Sequence, residues 1–406
     1  MSEAETPVVL TARLKEAGEA QEPGRRPSFA RVMAALVLPL FFVVFFPLAF
    51  VSALHDPQPH HLPLTLVGPE AVVGRIADSL SDGDAFDVTE TDEVSQAKQD
   101  VRDRASVGSI LVTAPSASSS GAPSSAGSEG TRLSVTAYTA SAAGNGAAPV
   151  VTRLGQEVAR QLNAPLKVED IVPLAKRDPA GSNLFYLLTY SSIGAYLVIV
   201  ALLQVVPRAS LRVRYLTVTI ASLVIPPVVF ALSALFTGNY VGDVSHVFGL
   251  LGVDALYVFA IGSLAILAEQ ALGKAMMFGV MALVVFLNFP SSGGPVASSL
   301  LPPFWQGMHS VWYGSAAMEA LRSVTYFDGA GAARWILQLV AWVLAIPLIT
   351  ALVDMVKANL KMRRTIAELG RRLEADVPAD VARADALVDV DQHAQNGNTN
   401  TSASVR

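Results

Sequence analysis

The sequence predicts a polytopic α-helical membrane protein, six transmembrane helices with an α/β extracytoplasmic domain between helices 1 and 2. Three observations predict it. Of the 406 residues, 52% are hydrophobic and only 16% are charged, against about 25% charged in an ordinary soluble domain. The apolar residues gather in long, nearly uncharged runs, close to the ~20 residues that a helix needs to cross the hydrocarbon layer. One long polar stretch interrupts these runs and carries strand-like and helix-like patterns in turn. The net charge of -5 says little, because the basic residues sit in a few places. The chain has no cysteine, which excludes a disulfide framework, a thiolate metal site and a cysteine nucleophile.

Residues 1–31 form an N-terminal segment with Arg25, Arg26 and Arg31 beside the first apolar run. Residues 32–54, VMAALVLPLFFVVFFPLAFVSAL, carry no charge and form the first span. This run is longer than a signal-peptide core and 31 residues precede it, so it reads as a retained anchor. Residues 55–183 are too polar for membrane and long enough for a small domain. In it LPLTLVG, FDVTE, GSILVT and RLSVTAYT read as strands. AVVGRIADSLSD, VSQAKQDVRDRA and VVTRLGQEVARQLN read as helices. The resulting order is β-α-β-α-β-β-α. The last of these strands is half-buried: Leu133, Val135 and Ala137 alternate with Arg132, Ser134 and Thr136. TAPSASSSGAPSSAGSEG, 113–130, is low in complexity and predicts a flexible loop.

Four more spans follow at 184–206, 215–237, 247–268 and 272–289, and a sixth at 334–356. The fifth is short and is extended by Leu272 and a snorkelling Lys274. Residues 290–333 form a loop rich in Gly, Pro, Ser and aromatic rings. Residues 357–406 begin with a basic helix, KANLKMRRTIAELGRRLEA, and end in a polar tail that reads as disordered. The basic helix suits anionic lipid headgroups or a partner.

Lys and Arg in short flanks set the orientation. Arg25, Arg26 and Arg31, then Arg208, Arg212 and Arg214 in PRASLRVR, then Lys357, Lys361, Arg363 and Arg364 belong inside. The loop 238–246 has no basic residue and 290–333 has only Arg322. Both termini are therefore expected in the cytoplasm, with the 290–333 loop outside.

Asp254 is the one formal charge well inside a span. An unpaired carboxylate there is costly, so it faces protein or water, or is protonated. It lines a pathway, or it makes an inter-helix hydrogen bond to a residue such as Gln204. His55, His60 and His61 near Asp56 form a Pro-rich turn that reads as a solvated linker before it reads as a metal site. There is no H-E-x-x-H, no G-x-S-x-G and no dinucleotide fingerprint, so no enzyme is expected. No nucleic-acid partner is expected either.

Four stretches carry a family likeness: LPLTLVGP at 62–69, DIVPLAKRDPAGSN at 170–183, SSGGPVASSLLPPFW at 291–305 and EALRSVTYFDG at 319–329. With the span pattern, they resemble the membrane subunits of type-2 ABC exporters, and more narrowly the YhgE/Pip-like branch and its actinobacterial relatives. The likeness covers most of residues 30–356. It implies a multi-pass permease in a bacterial plasma membrane, a homodimer or pseudo-dimer, and a separate ATPase. The alternative within the family is a scaffold or surface receptor used in phage adsorption or secretion. No cofactor is expected in this chain, and ATP enters only through the partner: there is no G-x-x-x-x-G-K-[ST] loop, Gly273-Lys274 being the nearest approach.

The likeness also implies that residues between spans five and six dip into the outer leaflet. Ser292 and Ser315 should then be wet and Val311 protected. SAAMEALRSV should form a short helix, with Glu319 and Arg322 at a spacing that lets them pair. The bland alternative is a surface loop with its rings on the outer domain. Asp254, Gly293, Gly294, Glu319 and Arg322 are the candidate pathway or gating residues. Arg208, Arg212 and Arg214 either dock the ATPase or serve as a positive-inside anchor.

Overall fold

A computed structural model describes residues 29–81, 83–114 and 133–375. The basic N-terminal segment, most of the Ser- and Gly-rich loop, the polar tail and the Lys274 side chain lie outside the described residues.

Helix α1 (Phe29–Leu54) runs through Pro39 and Pro47. Its Phe41, Phe42, Phe45 and Phe46 rings gather round Phe286, at centroid distances of 5.4–6.3 Å. Only 11% of its apolar window is buried. It therefore holds the bundle by one aromatic stripe and leaves the rest of its surface bare.

The α/β unit follows: β1 (Leu62–Val67), α2 (Glu70–Ser81), β2 (Phe86–Thr91), α3 (Val94–Arg102), β3 (Gly108–Thr113), β4 (Ser134–Thr139), α4 (Ala147–Gln161) and β5 (Leu166–Asp170). The sheet order is β2-β1-β3-β4-β5, and only the β3–β4 pair is antiparallel. Helices cover both faces. Val73 and Ile76 of α2 and Val151 and Val158 of α4 pack on Leu64, Ile110 and Val135. Ala97 of α3 packs on Val67, Leu111 and Tyr138. This is why β1 and β3 read as nearly continuous apolar runs. The predicted strands and helices all appear, but the expected order lacks β5. That edge strand is LKVED, with exposed Lys167 and Asp170, so it offers no apolar alternation to read. Charge on an edge also protects it from pairing with another chain.

Three membrane-length helices come next: α5 (Asn183–Val205), α6 (Leu211–Thr237) and α7 (Val244–Leu272). Helix α7 is central, with 67% of its apolar window buried. Helix α6 starts earlier than expected because Ser210 caps it, its Oγ accepting from Val213 N at 3.4 Å. Arg212 and Arg214 thus sit on the first turn of a helix rather than in a loop.

The predicted fifth span is a shorter, irregular helix. A 3₁₀ turn (Gly273–Ala275) leads into Met276–Val280 as α-helix, Met281–Asn288 as π-helix and Phe289–Ser291 as α-helix. An α-helix spanning Met276–Ser291 would rise only ~24 Å, against ~30 Å of hydrocarbon. Two short helices follow, α8 (Pro303–Val311) and α9 (Tyr313–Tyr326), then α10 (Ala332–Ala375). The basic helix expected after span six is the continuation of α10, which has 44 residues without interruption. Among the described residues, 5 helices are long and apolar enough to cross a membrane, and Met276–Ser291 is a shorter apolar one. Five of the expected spans are helices of membrane length, and the fifth in order is this shorter apolar helix with a π-helical middle.

Candidate functional site

The α/β unit meets the helices at α9. There Glu319 and Arg322 pair as their spacing predicts, with Arg322 Nη1 2.5 Å from Glu319 Oε1. Arg322 Nη2 also donates to the Gly293 carbonyl at 3.0 Å. Gly293 has φ +80, and a Cβ there would stand 2.9 Å from His309 Cε1 and 3.1 Å from Glu319 Oε1. The position needs glycine both for its backbone and for the space. A Cβ on Gly294 would run into the Phe185 ring, and its carbonyl accepts from Asn145 Nδ2 at 3.3 Å. Four of the five candidate pathway residues therefore belong to this junction.

Two members of the cluster escaped the sequence reading. Arg104, just after α3, forms an ion pair with Glu319 through Nη2. Its Nη1 donates to the Glu319 carbonyl at 3.0 Å and to Ser323 Oγ at 2.5 Å. Arg104 sits at φ +63, a left-handed conformation unusual for a non-glycine residue. His309 of α8 donates from Nδ1 to the Ser291 carbonyl at 2.8 Å, with Nε2 3.7 Å from Glu319. Burial pushes the Glu319 carboxyl up, but Arg322, Arg104 and His309 outweigh it and hold the group at about 2. Burial lowers His309 in turn, against the pull of Glu319. Two guanidiniums thus share one ionised carboxylate, and the residual positive charge meets the Gly293 carbonyl.

A second polar set lies deeper, around α7. Asp254 is fully buried, and Ser191 Oγ of α5 donates to its Oδ2 at 2.7 Å. Its Oδ1 has no partner among the described residues. The inter-helix bond therefore goes to Ser191 and not to Gln204, which is exposed. Next to it, Ser192 Oγ and Tyr257 OH are 2.7 Å apart, and Asn288 Nδ2 donates to the same hydroxyl at 2.9 Å. Asn288 is the last residue of the π-helix. Ser291, whose Oγ reaches back to the Asn288 carbonyl at 3.3 Å, supplies the carbonyl that holds His309. The two polar sets are thus linked through residues 288–293. Asp254 stands at one end of this column, separate from the other four candidates.

The three arginines 208, 212 and 214 do not act together. Arg208 and Arg212 are exposed. Arg214 is buried and turned inward: it forms an ion pair with Glu269 of α7 and its Nε donates to the Ala209 carbonyl at 3.0 Å. It joins α6 to α7. At the other end of the chain, His61 Nδ1 lies 3.1 Å from Asp87, and no group of three His, Asp or Glu side chains gathers as metal ligands among the described residues.

Ser292 and Ser315, expected to be wet, are buried at 1% and 0% exposed, whereas Val311 is 54% exposed. The small hydroxyl side chains fill tight turns: Ser315 Oγ donates to the His309 carbonyl at 2.5 Å and the Trp312 carbonyl at 2.7 Å. The rings hold neighbouring helices rather than the α/β unit. Trp305 Nε1 donates to Ser52 of α1 at 3.2 Å, and Trp342 Nε1 of α10 to the Val311 carbonyl at 2.8 Å. Cysteines placed at Ser292 and Ser315 are therefore expected to resist N-ethylmaleimide in detergent, while one at Val311 reacts. Fast reaction at 292 or 315 would contradict this packing.

No family model matches the chain, and no curated protein or solved structure matches it.

Proposed function

We propose that the chain is the membrane-spanning permease subunit of a type-2 ABC-like exporter, moving a substrate out of a bacterial cell with a separate ATPase. The observation that carries this reading is the polar column from Asp254 through Tyr257 and Asn288 to Glu319 and Arg322. Ionisable groups inside an apolar bundle are expensive, and they concentrate where solutes or protons pass. The π-helix that aims Asn288 into the column is also a feature enriched at functional sites. The likeness of the four sequence stretches supports the same reading.

In this reading the α/β unit lies outside, and Arg208, Arg212 and the basic end of α10 lie in the cytoplasm. Two copies pair in the bilayer, each supplying half a pathway. The ATPase is recovered with the full chain purified from its own membranes. Replacing Arg208 and Arg212 with Gln reduces that recovery, while Arg214 is left in place because it holds α6 to α7. Absence of any nucleotide-hydrolysing partner would overturn the permease reading.

The second reading is a membrane scaffold or surface receptor of the YhgE/Pip type. It is favoured by the Arg104–Glu319 ion pair, which ties the α/β unit to the helices as a fixed platform. Recovery without an ATPase but with a bound extracellular protein is its expected outcome.

A further inference from the structure

Between the α/β unit and the start of α10 lies a cavity of about 340 Å³. Small-molecule sites begin at about this size. Its walls come from distant parts of the chain: β1, the turn after α3, the 297–299 loop, α9 and the first turn of α10. Nothing in the polar column above uses most of it.

Three features of the wall point to a ligand. Ser106 is only 5% exposed and lines the cavity, yet its hydroxyl has no hydrogen-bond partner among the described residues. A buried, unsatisfied hydroxyl is costly unless something else satisfies it. Arg334 lines the same cavity with its guanidinium 4.7 Å from the Trp335 ring centroid, and it has no carboxylate partner among the described residues. Arg104 lines it as well, held in its left-handed conformation with its guanidinium 5.1 Å from the Phe327 ring centroid.

The lining itself carries two guanidiniums, Arg104 and Arg334, and two carboxylates. Glu319 also lines the cavity, but Arg104 and Arg322 already answer it. Asp103 is exposed at the rim and accepts from Gln99 at 2.9 Å. Arg322, which pairs with Glu319 but does not line the cavity, brings the local count to three guanidiniums against two carboxylates. Phe327 and Trp335 supply apolar wall beside the cations.

We infer that this cavity binds an anionic group carried on a short apolar stem, a phosphate monoester or phosphodiester whose oxygens meet Arg334 and the Ser106 hydroxyl. Guanidinium presents a planar fork that matches phosphate oxygens. The stem lies along Trp335 and Phe327. Such chemistry is found in a free organic phosphate and in the headgroup of an anionic phospholipid. The inference does not depend on the transport reading, since a scaffold could hold the same ligand.

The test uses the full chain in phosphatidylcholine nanodiscs, titrated with hexyl phosphate and with inorganic phosphate. Hexyl phosphate is expected to saturate one site and to bind at least about tenfold more tightly than inorganic phosphate, as burial of several methylenes requires. Arg334→Gln is expected to weaken it by about tenfold. Arg334 is exposed, so folding is spared. Ser106→Ala is expected to weaken binding without lowering the melting temperature, because the hydroxyl makes no bond among the described residues. Absence of saturable binding overturns the inference. So does equal affinity for the two probes, or unchanged affinity in both variants. Adding phosphatidylglycerol to the discs then identifies the source: competition with hexyl phosphate marks a lipid headgroup, and its absence marks a soluble anion.

Discussion

Glu319→Ala is expected to destabilise the chain by about 3–5 kcal/mol, because it leaves buried guanidiniums without their counter-ion. Arg322 and Arg104 both pair with this carboxylate, and the Arg322 and Glu319 side chains are 5% and 3% exposed. An exposed pair would be worth only about 0–1 kcal/mol. Thermal or denaturant melting of the full chain in detergent measures the difference, and a loss below about 1 kcal/mol would refute the buried-pair description.

The pH dependence follows from the same site. The Glu319 carboxyl is held at about 2, below its ordinary 4.5. A depressed carboxyl contributes stability that is fully present above its unfolded value and is lost as pH falls through the folded one. The wild-type chain should therefore lose stability relative to Glu319→Gln between about pH 4.5 and about pH 2. The gap between the two should be constant above that window. A gap that does not narrow on acidification would show that the carboxylate is not ionised in the folded chain.

Gly314→Ala is the second large effect. A Cβ at 314 would overlap the Asn288 carboxamide, whose nitrogen donates to Tyr257. The asparagine must move, and overpacking of this kind costs about 1–3 kcal/mol. Asn288→Ala removes the obstacle, at the loss of one hydrogen bond worth about 1 kcal/mol. The double variant Gly314→Ala with Asn288→Ala should therefore be more stable than the sum of the single losses. Strict additivity would mean that the two residues do not share this space. Because Asn288 ends the π-helix, the same pair tests whether that irregular turn is held by the contact.

The sequence by itself determined the local structure. Long apolar runs became the helices 183–205, 211–237 and 244–272, short apolar runs became the buried strands 62–67 and 108–113, and alternation became strand 134–139. The three-residue spacing of Glu319 and Arg322 became a real ion pair. These features depend on neighbours within about one or two turns, where periodicity carries the information. Edge strand 166–170 and the irregular stretch at 273–288 escaped it. The strand has no buried face to create a pattern, and the π-helix differs from α only by a wider turn stabilised by its surroundings.

Only the tertiary structure decided which distant groups meet. Arg104 stands 215 residues from Glu319 in the chain, and nothing in VRDRAS marks it as the partner. Arg214 looks like its exposed neighbours Arg208 and Arg212 until Glu269 on the next helix draws it inward. Ser292 and Ser315 look like loop residues, yet packing of 288–314 against α1, α7 and α10 buries them. Burial and counter-ion choice are properties of surfaces brought together by folding, so the charge of Glu319, the isolation of Asp254 and the cavity beside Arg334 arise only once the helices and the sheet have met.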